Sequence, residues 1–470
     1  MVCVFSFLST QNPLLFFASI QVAYKQNASI HVYKSVTILK LFIMERIFRR
    51  IALSALMLPA FAVADAQRWV ELTDDVTPVI CISETVNEAP DVVEIFQNSQ
   101  SGYHHDPRAP RFVLVDQKGR WGLGIGGYLQ TKIEYDFDKA VANVDFLPSA
   151  IQRNGAPSSQ YRMDMTNSTL FLKLVGSNSL LGDFIVYTSA DWRGNGLGLH
   201  LLNAYMSTKY FTIGYTVGSF MDIGAVPTTI DYGGPCGMTF YRATQLQIRY
   251  GFDFGLSMGI ALEAPDVNAT GGEYVSVGAQ RCPNIPVYVQ YNLWNNPNNH
   301  IRLGAIMRDI SYTDKVNNID TDKVGWGVQA SMLATMGKLQ LNGQFTVGEG
   351  IGSLVNDISD VGVDVVANPQ SPGKAMMLAS EAWYAGMQYN FNSKCFASAA
   401  YSQTVLHSRN GYGEAHPGGF RKGQYAVANF FYSVTDNLQL GVEYLHGWRM
   451  DFDNHTYNAN RVNLSARYDF

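Results

Sequence analysis

Charged side chains recur at alternate positions in several stretches of this sequence. Lys132 and Glu134 are two residues apart, and so are Arg162 and Asp164. In an extended chain this spacing puts both members of a pair on the same face. Cations and anions that face each other across a narrow aqueous passage create a field that steers and orients permeating ions. The first chemistry that these residues could perform is therefore selective passage of small ions.

Charges on the same predicted face continue along much of the chain, and the cations and anions among them are nearly equal in number. This balance predicts a general or modestly selective pore. The plainer alternative is that these side chains only solvate a water-filled wall. The candidate pore-lining and constriction residues are Lys132, Glu134, Arg162, Asp164, Asp191, Asp222, Asp231, Arg249, Arg302, Arg308, Glu443, Arg461 and Arg467.

Two short motifs resemble cofactor or metal sites but lack the required context. Gly122, Gly124 and Gly127 match the dinucleotide fingerprint, yet the following residues alternate as a strand where the fingerprint requires a helix. We expect these glycines to let a neighbouring segment approach closely instead. His104 and His105 are adjacent, so their side chains point apart in an extended segment, and no further spacing completes a metal site. We predict no cofactor, no metal and no catalytic residue.

Alternation of apolar and polar residues is the main periodicity of the chain. In the last stretch Val462 and Leu464 share one face, whereas Arg461 and Asn463 share the other. Apolar residues facing outward and polar residues facing inward are typical of transmembrane β-barrels. The sequence therefore predicts an all-β fold, a 16-stranded antiparallel transmembrane β-barrel. The predicted strands lie near residues 121–136, 160–175, 181–193, 199–209, 210–219, 239–251, 253–264, 284–294, 298–310, 323–336, 337–348, 381–392, 393–406, 422–434, 437–448 and 459–470.

The predicted connections alternate between short and long without exception, as in barrels with short periplasmic turns and longer outer loops. Residues 311–322 and 449–458 are among the predicted long loops. The loop from Phe220 to Met238 is the candidate for an inward-folded constriction, with a solvent-exposed cap as the alternative. Cys236 in this loop could form a disulfide with Cys282 in the next outer loop, because the exported compartment is oxidising. Unpaired thiols are the alternative.

The N-terminal region has features of an exported protein. From Met44, a basic start precedes the apolar run 51–63 and a small-residue cleavage site, which predicts a signal peptide at 44–66. We interpret residues 1–43 as translated upstream sequence. Residues 67–120 are expected to form a short periplasmic segment, either a plug or a trimer-stabilising arm, and residues 121–470 the barrel. Phe470, preceded by alternating apolar residues, resembles the C-terminal signal of outer-membrane barrels and predicts a bacterial outer-membrane location.

Composition excludes several other classes of protein. Of the 470 residues, 16% are charged and 13% aromatic, and the net charge is −5. The low charge argues against a disordered chain, and the lack of net positive charge argues against nucleic-acid binding. Two alternatives to a porin remain. One is a surface β-rich binding protein, and the other is a barrel enzyme acting on lipid through residues such as His200 and Ser207, for which no acid partner is identifiable.

Several segments, in the same order, resemble one family, the DcaP-like trimeric porins. These segments are residues 214–222 (GYTVGSFMD), 231–235 (DYGGP), 245–250 (QLQIRY), 261–265 (ALEAP), 441–449 (GVEYLHGWR) and 460–470. The resemblance extends over roughly residues 122–470. It implies a homotrimer in outer-membrane lipid that lets small hydrophilic solutes diffuse through, with a mild preference for anions such as dicarboxylates.

Overall fold

The computed structural model describes residues 80–82, 92, 94–96, 99, 101–108, 110, 112–116, 120–137, 139–153, 158–294, 296 and 298–470. Within this part, sixteen antiparallel strands form a closed barrel, as the sequence predicts. The last strand pairs with the first, from Asn460 opposite Phe137 to Asp469 opposite Tyr128. Closure pairs the strand edges that lipid would otherwise leave unsatisfied.

The strands have the following bounds, and the second consists of two segments. They are β1 (Trp121–Phe137), β2 (Gln160–Asp164 and Thr169–Asn178), β3 (Gly182–Gly194), β4 (Gly198–Thr208), β5 (Phe211–Val217), β6 (Arg242–Gly251), β7 (Leu256–Glu263), β8 (Ile285–Asn292), β9 (His300–Asp314), β10 (Ile319–Met336), β11 (Leu339–Glu349), β12 (Ala379–Asn392), β13 (Cys395–His407), β14 (Phe420–Ser433), β15 (Leu438–Asp451) and β16 (Thr456–Asp469).

The two faces of the strands differ as the alternation predicts. On β16, Arg461 and Asn463 are fully buried inside the barrel, whereas Leu464 and Tyr468 are 47% and 48% exposed on its outside. An apolar outer band of this kind is stable when lipid surrounds it. The outside of the barrel is therefore suited to a bilayer, and polar groups are directed toward the interior.

The two ends of the barrel differ in their connections. At one end the turns are short, and β10 joins β11 through residues 337–338, where Gly337 has a φ of +62° that disfavours a β-carbon. At the other end the loops are L1 (residues 138–159), L2 (195–197), L3 (218–241), L4 (264–284), L5 (315–318), L6 (350–378), L7 (408–419) and L8 (452–455). The predicted strict alternation of lengths is wrong at L5 and L8. Residues predicted as loop there pair as strand, up to Asp314 opposite Ile319 and Met450 opposite Thr456.

The loops L1, L3 and L6 fold into the barrel and form apolar clusters inside it. Phe220 of L3 packs in one cluster with Leu354 and Ile358 of L6. Phe146 of L1 packs in a second cluster with Tyr425 of β14. The interior is therefore lined largely by loop residues that the strands hold in place.

The chain before β1 also contacts the barrel. Phe112–Val115 forms a short strand that pairs antiparallel with β1, and Ile80–Ile82 pairs parallel with Phe112–Val115. Of the residues that precede this strand, 92 and 94–96 are helical. The predicted upstream sequence and signal peptide, residues 1–66, lie outside the described residues. In the described part of the chain, no helix is both long enough and apolar enough to cross a membrane.

Candidate permeation pathway

An interlocked ladder of charges covers the inner wall where β16, β1 and β2 are adjacent. Lys132 Nζ lies 2.6 Å from Glu134 Oε1, and Arg162 Nε lies 3.0 Å from Glu134 Oε2. Asp136 accepts hydrogen bonds from Arg162 at 3.0 Å and from Arg461 at 2.6 Å. The ladder contains three cations and two carboxylates, so its formal charge is one positive charge in excess. Sequence analysis omits Asp136, although its spacing of two from Glu134 places it on the same face.

The same cations hold L1 inside the barrel. Arg461 donates to the carbonyl oxygens of Asn143 and Val144, both at 2.9 Å, and Lys132 Nζ donates to that of Val144 at 3.1 Å. Arg193 of β3 and Asp145 form a bidentate pair with distances of 2.7 and 2.8 Å. Such charge-assisted pairs fix both distance and orientation. Sequence analysis does not identify this last pair, because its two members are far apart in the chain.

L3 crosses the lumen and is anchored on the opposite wall. Glu443 of β15 accepts the backbone N–H groups of Ile230 at 2.6 Å and Asp231 at 2.8 Å. The Asp231 carboxylate in turn accepts the N–H of Phe146 at 3.0 Å and the hydroxyl of Tyr425 at 3.2 Å. Burial and nearby carboxylates raise the pKa of Asp231 to about 7. L3 therefore lies inside the barrel and contacts L1 there.

A second carboxylate anchors the first part of L3. Asp222 lies 2.9 Å from His300 Nε2 on β9 and 2.5 Å from Ser331 Oγ on β10. Burial opposes ionisation, but the contacts from His300 and the charge of Arg302 lower the pKa of Asp222 to about 2. The ionised carboxylate thus attaches this part of L3 to β9 and β10 across the physiological pH range.

Three of the predicted pore-lining residues, Arg162, Arg249 and Arg302, are only half-buried. Arg302 donates to the carbonyl oxygen of Ser219 in L3, and its guanidinium lies 3.8 Å from the centroid of the Tyr288 ring. The rest of the predicted set is buried, so the alternative of side chains that only solvate a water-filled wall does not describe those residues. The buried members are Lys132, Glu134, Asp164, Asp191, Asp222, Asp231, Arg308, Glu443, Arg461 and Arg467.

Two of these buried cations have carboxylate partners outside the ladder. Arg308 Nη1 of β9 lies 3.0 Å from Asp364 Oδ1 of L6, and both side chains are fully buried. Arg467 Nη2 of β16 lies 2.8 Å from Asp469 Oδ1. The first pair fixes L6 to the wall, and the second lies near the end of the last strand.

Two predicted carboxylates have local roles. Asp164 accepts the hydroxyl of Thr166 at 2.8 Å, at the break in β2, and Asp191 lies 3.0 Å from His200 Nδ1. His200 thus has an acid partner that sequence analysis does not identify. Ser207, however, lies about 23 Å further along β4 at the usual rise per residue. A His-Asp pair can activate a hydroxyl as a nucleophile only when the hydroxyl lies next to the histidine. This geometry therefore does not support a lipid hydrolase.

The structure does not contain the disulfide predicted between Cys236 and Cys282. Both residues are free thiols. Cys236 is buried with its Sγ 3.5 Å from Ser402 Oγ on β13, whereas Cys282 is exposed in L4 and contacts Asp309 of β9. The inward course of L3 carries Cys236 to β13, so the succession of the two loops in the sequence does not bring the thiols together.

His104 and His105 lie inside the barrel among aromatic rings. The His104 ring is 4.9 Å from that of Phe431, and the His105 ring is 5.1 Å from that of Tyr232. Burial and the neighbouring Arg467 lower the pKa of His105 to about 3, so its ring is neutral at physiological pH. The described residues contain no group of three or more potential metal ligands.

The comparisons with known proteins agree with the geometry of the barrel. A family model described as DcaP outer membrane protein matches residues 134–470. The outer membrane channel DcaP of Acinetobacter baumannii is similar in structure, with a TM-score of 0.65 and 18% identity over 76% of this chain and 99% of that one. A loop L8 deletion mutant of OmpT, an outer membrane protein of Vibrio cholerae, has a TM-score of 0.50 and 13% identity over 75% of this chain and 100% of that one. At these identities the likeness concerns the fold. No curated protein sequence matches the chain.

Proposed function

The chain belongs to the DcaP outer membrane protein family, and from this premise we propose that it is a diffusion porin that favours small anions, dicarboxylates among them. Membership of the family and the closed barrel identify an outer-membrane channel of a bacterium. The proposal concerns the solutes that this channel passes. The observation that carries it is the difference in exposure between the fixed cations and the fixed anions of the interior.

Two arginines beside L3 support a preference for anions. Arg302 contacts the Ser219 carbonyl, and Arg242, at the start of β6, donates to the Tyr232 hydroxyl at 3.4 Å. Among the described residues, no carboxylate oxygen lies within 4.0 Å of either guanidinium, and the Nε of each has no hydrogen-bond partner. Both side chains are half-buried. Because no carboxylate pairs with either guanidinium, the positive charge of each contributes to the field that a passing solute meets.

The interior carboxylates, in contrast, are used to hold loops. Glu443 and Glu263 are at most 1% exposed and accept backbone N–H groups of L3. Asp357 of L6 is equally buried and accepts the Ser149 N–H of L1 at 2.8 Å. Carboxylates in these positions have little contact with solution, so the field that a solute meets is dominated by the arginines.

We further propose that the chain assembles as a homotrimer. The resemblance to DcaP-like trimeric porins, which extends from the third-loop region to the closing hairpin, supports this assembly. A trimer that inserts into a bilayer as a unit adds three equal conductance steps. Steps that occur singly with the full chain would contradict it.

The sign of the reversal potential in a potassium chloride gradient tests the anion preference. We expect the full chain to favour chloride and the variants Arg302→Gln and Arg242→Gln to favour it less. A lumen guanidinium contributes roughly 0.5–1 kcal/mol to a nearby anion after screening by salt. Each substitution should therefore lower the chloride-to-potassium permeability ratio about two- to fivefold.

The matched control is Arg421→Gln, which removes the same charge from an exposed position at the outer end of β14. This variant should keep the permeability ratio of the unaltered chain. A chain that favours potassium, or lumen variants that behave like the control, would refute the proposed selectivity.

A further inference from the structure

The chain that precedes β1 occupies part of the barrel interior. We refer to residues 99, 101–108 and 110 as the plug segment. Tyr103 is 6% exposed and packs with Met221, Val226 and Met238 of L3 and with Tyr384 of β12. Arg108 Nη1 donates to the carbonyl oxygen of Asp436, in the short turn between β14 and β15, at 2.6 Å. The plug segment therefore extends from the end of the barrel that carries the short turns to the inner loop L3.

The wall holds the plug segment mainly by its backbone carbonyl oxygens. Lys173 Nζ of β2 donates to the carbonyl of Ser99 at 2.8 Å, and the Tyr128 hydroxyl donates to that of His105 at 3.0 Å. Arg467 donates to the carbonyls of two further residues, His104 and Asp106. Lys173 and Arg467, two cations of the inner wall, thus donate hydrogen bonds to uncharged backbone oxygens of the chain itself.

The plug segment also brings its own carboxylate to the cations of the lumen. The Asp106 side chain interacts electrostatically with Arg242, Arg467 and Lys173. No carboxylate lies within 4.0 Å of Lys173 or Arg242 among the described residues. Asp106 therefore lies near Arg242, one of the two arginines on which the proposed anion preference depends.

Glycines on β1 make room for this part of the chain. A β-carbon at Gly124 would lie 2.7 Å from Phe96 Cε1 and 2.9 Å from Pro110 Cβ, and one at Gly122 would lie 2.6 Å from Val92 Cγ1. These distances are too short for real contacts. The close approach expected from the glycine spacing is thus confirmed. The neighbouring residues are Val92 and Phe96, which precede the plug segment, and Pro110, which ends it.

We propose that the plug segment is a displaceable internal gate, and that a solute carrying a carboxylate opens it by taking over the donors of Lys173 and Arg467. The bonds that Lys173 and Arg467 donate to carbonyl oxygens already have an ionised donor. A carboxylate adds an ionised acceptor and can bind an arginine through two parallel hydrogen bonds. A carboxylate therefore competes well with the carbonyl oxygens of the plug segment. A neutral solute of the same size has no such advantage. This gating rests on the proposed function, because the displacing solute belongs to the anions that the porin favours.

Hydrogen exchange of the plug segment in the full chain, with succinate as the probe, tests displacement without any substitution. We expect saturating succinate to make the backbone amides of the segment exchange about tenfold faster. A shift of this size results when the ligand binds about tenfold more tightly to the chain with the segment displaced than to the chain with the segment in place. The uncharged analogue butane-1,4-diol should leave the exchange unchanged. Succinate that slows the exchange, or leaves it unchanged, would overturn the proposal.

Conductance of variants in planar bilayers tests the gate independently. Gly124→Val should push the plug segment away from β1, raise the conductance and remove the response to succinate. Gly102→Val is the matched control, because a β-carbon at this glycine of the plug segment meets no atom within 4 Å. Arg108→Ala offers a second test that leaves the strands intact, since its side chain is 44% exposed and lies 3.6 Å from Asp469.

The outcomes separate the gate from the anion preference. If Gly124→Val and Arg108→Ala both keep the conductance of the control, the plug segment is no gate. If both variants raise the conductance but the open channel favours potassium, the plug segment is a gate and the proposed anion preference is wrong. Opening of the gate by a solute with a carboxylate would then be refuted as well.

Discussion

Glu443 provides the sharpest test of how L3 is held in the lumen. Its carboxylate accepts four hydrogen bonds, from the backbone N–H groups of Ile230 and Asp231 at 2.6 and 2.8 Å and from the side-chain amides of Asn463 and Asn429 at 3.0 and 3.2 Å. The side chain is 1% exposed, so water cannot replace these partners. The substitution Glu443→Gln keeps the size of the side chain but turns one acceptor into a donor.

The expected cost follows from these contacts. A hydrogen bond to a charged group contributes roughly 1.5–3 kcal/mol, and a buried N–H left without an acceptor costs about 1–3 kcal/mol. One of the two backbone N–H groups of L3 would face the side-chain amide that the substitution introduces. We therefore expect Glu443→Gln to destabilise the anchored loop by about 3 kcal/mol, roughly a 150-fold shift toward the released loop.

Hydrogen exchange at the Ile230 and Asp231 amides, together with single-channel conductance, measures this shift. Both should increase in Glu443→Gln. The control is Glu381→Gln, the same change at a partly exposed position on β12 that faces His407, and it should behave like the unaltered chain. Slow exchange at both amides with unchanged conductance in Glu443→Gln would refute the assignment of Glu443 as the anchor.

Three further predictions follow from other parts of the interior. Because burial raises the pKa of Asp231 to about 7, this group stabilises the anchored loop fully below its ordinary pKa of 3.8 and loses that effect as the pH rises through about 7. Conductance should therefore rise between about pH 4 and 7 and level off above that range, and Asp231→Asn should remove that rise. In maleimide labelling of the folded chain, Cys282 should react and Cys236 should react only after unfolding, while a protected Cys282 would contradict the exposed position of L4. Truncating one partner of the buried pair Arg308 and Asp364, as in Asp364→Ala, should destabilise the chain by about 3–5 kcal/mol, measured as a lower unfolding temperature.

The barrel could be predicted because its signal is local. Alternation along β16 assigns Arg461 to the inside and Leu464 to the outside within a few residues, and the structure confirms both. The terminal Phe470 exchanges backbone hydrogen bonds with Gly127 of β1 at 3.0 and 3.1 Å, at the point where the barrel closes. Errors in this prediction occur at L5 and L8, where strands continue beyond the membrane-spanning pattern.

The interior could not be predicted in the same way, because long-range contacts determine it. Ile230 and Glu443 are 213 residues apart, and Arg308 and Asp364 are 56 apart. Alternation places such residues on the inner face but does not show which loop reaches them. The alternation of polar and apolar residues likewise identifies Arg467 as lumen-facing. It does not reveal that the plug segment contacts this arginine.

The current across a planar bilayer after addition of the purified full chain tests the central claim, an aqueous channel through the barrel, most directly. We predict discrete conductance steps in groups of three, with a reversal potential that favours chloride in a potassium chloride gradient. A folded chain that inserts into the bilayer and yields no steps above the protein-free background would contradict the claim.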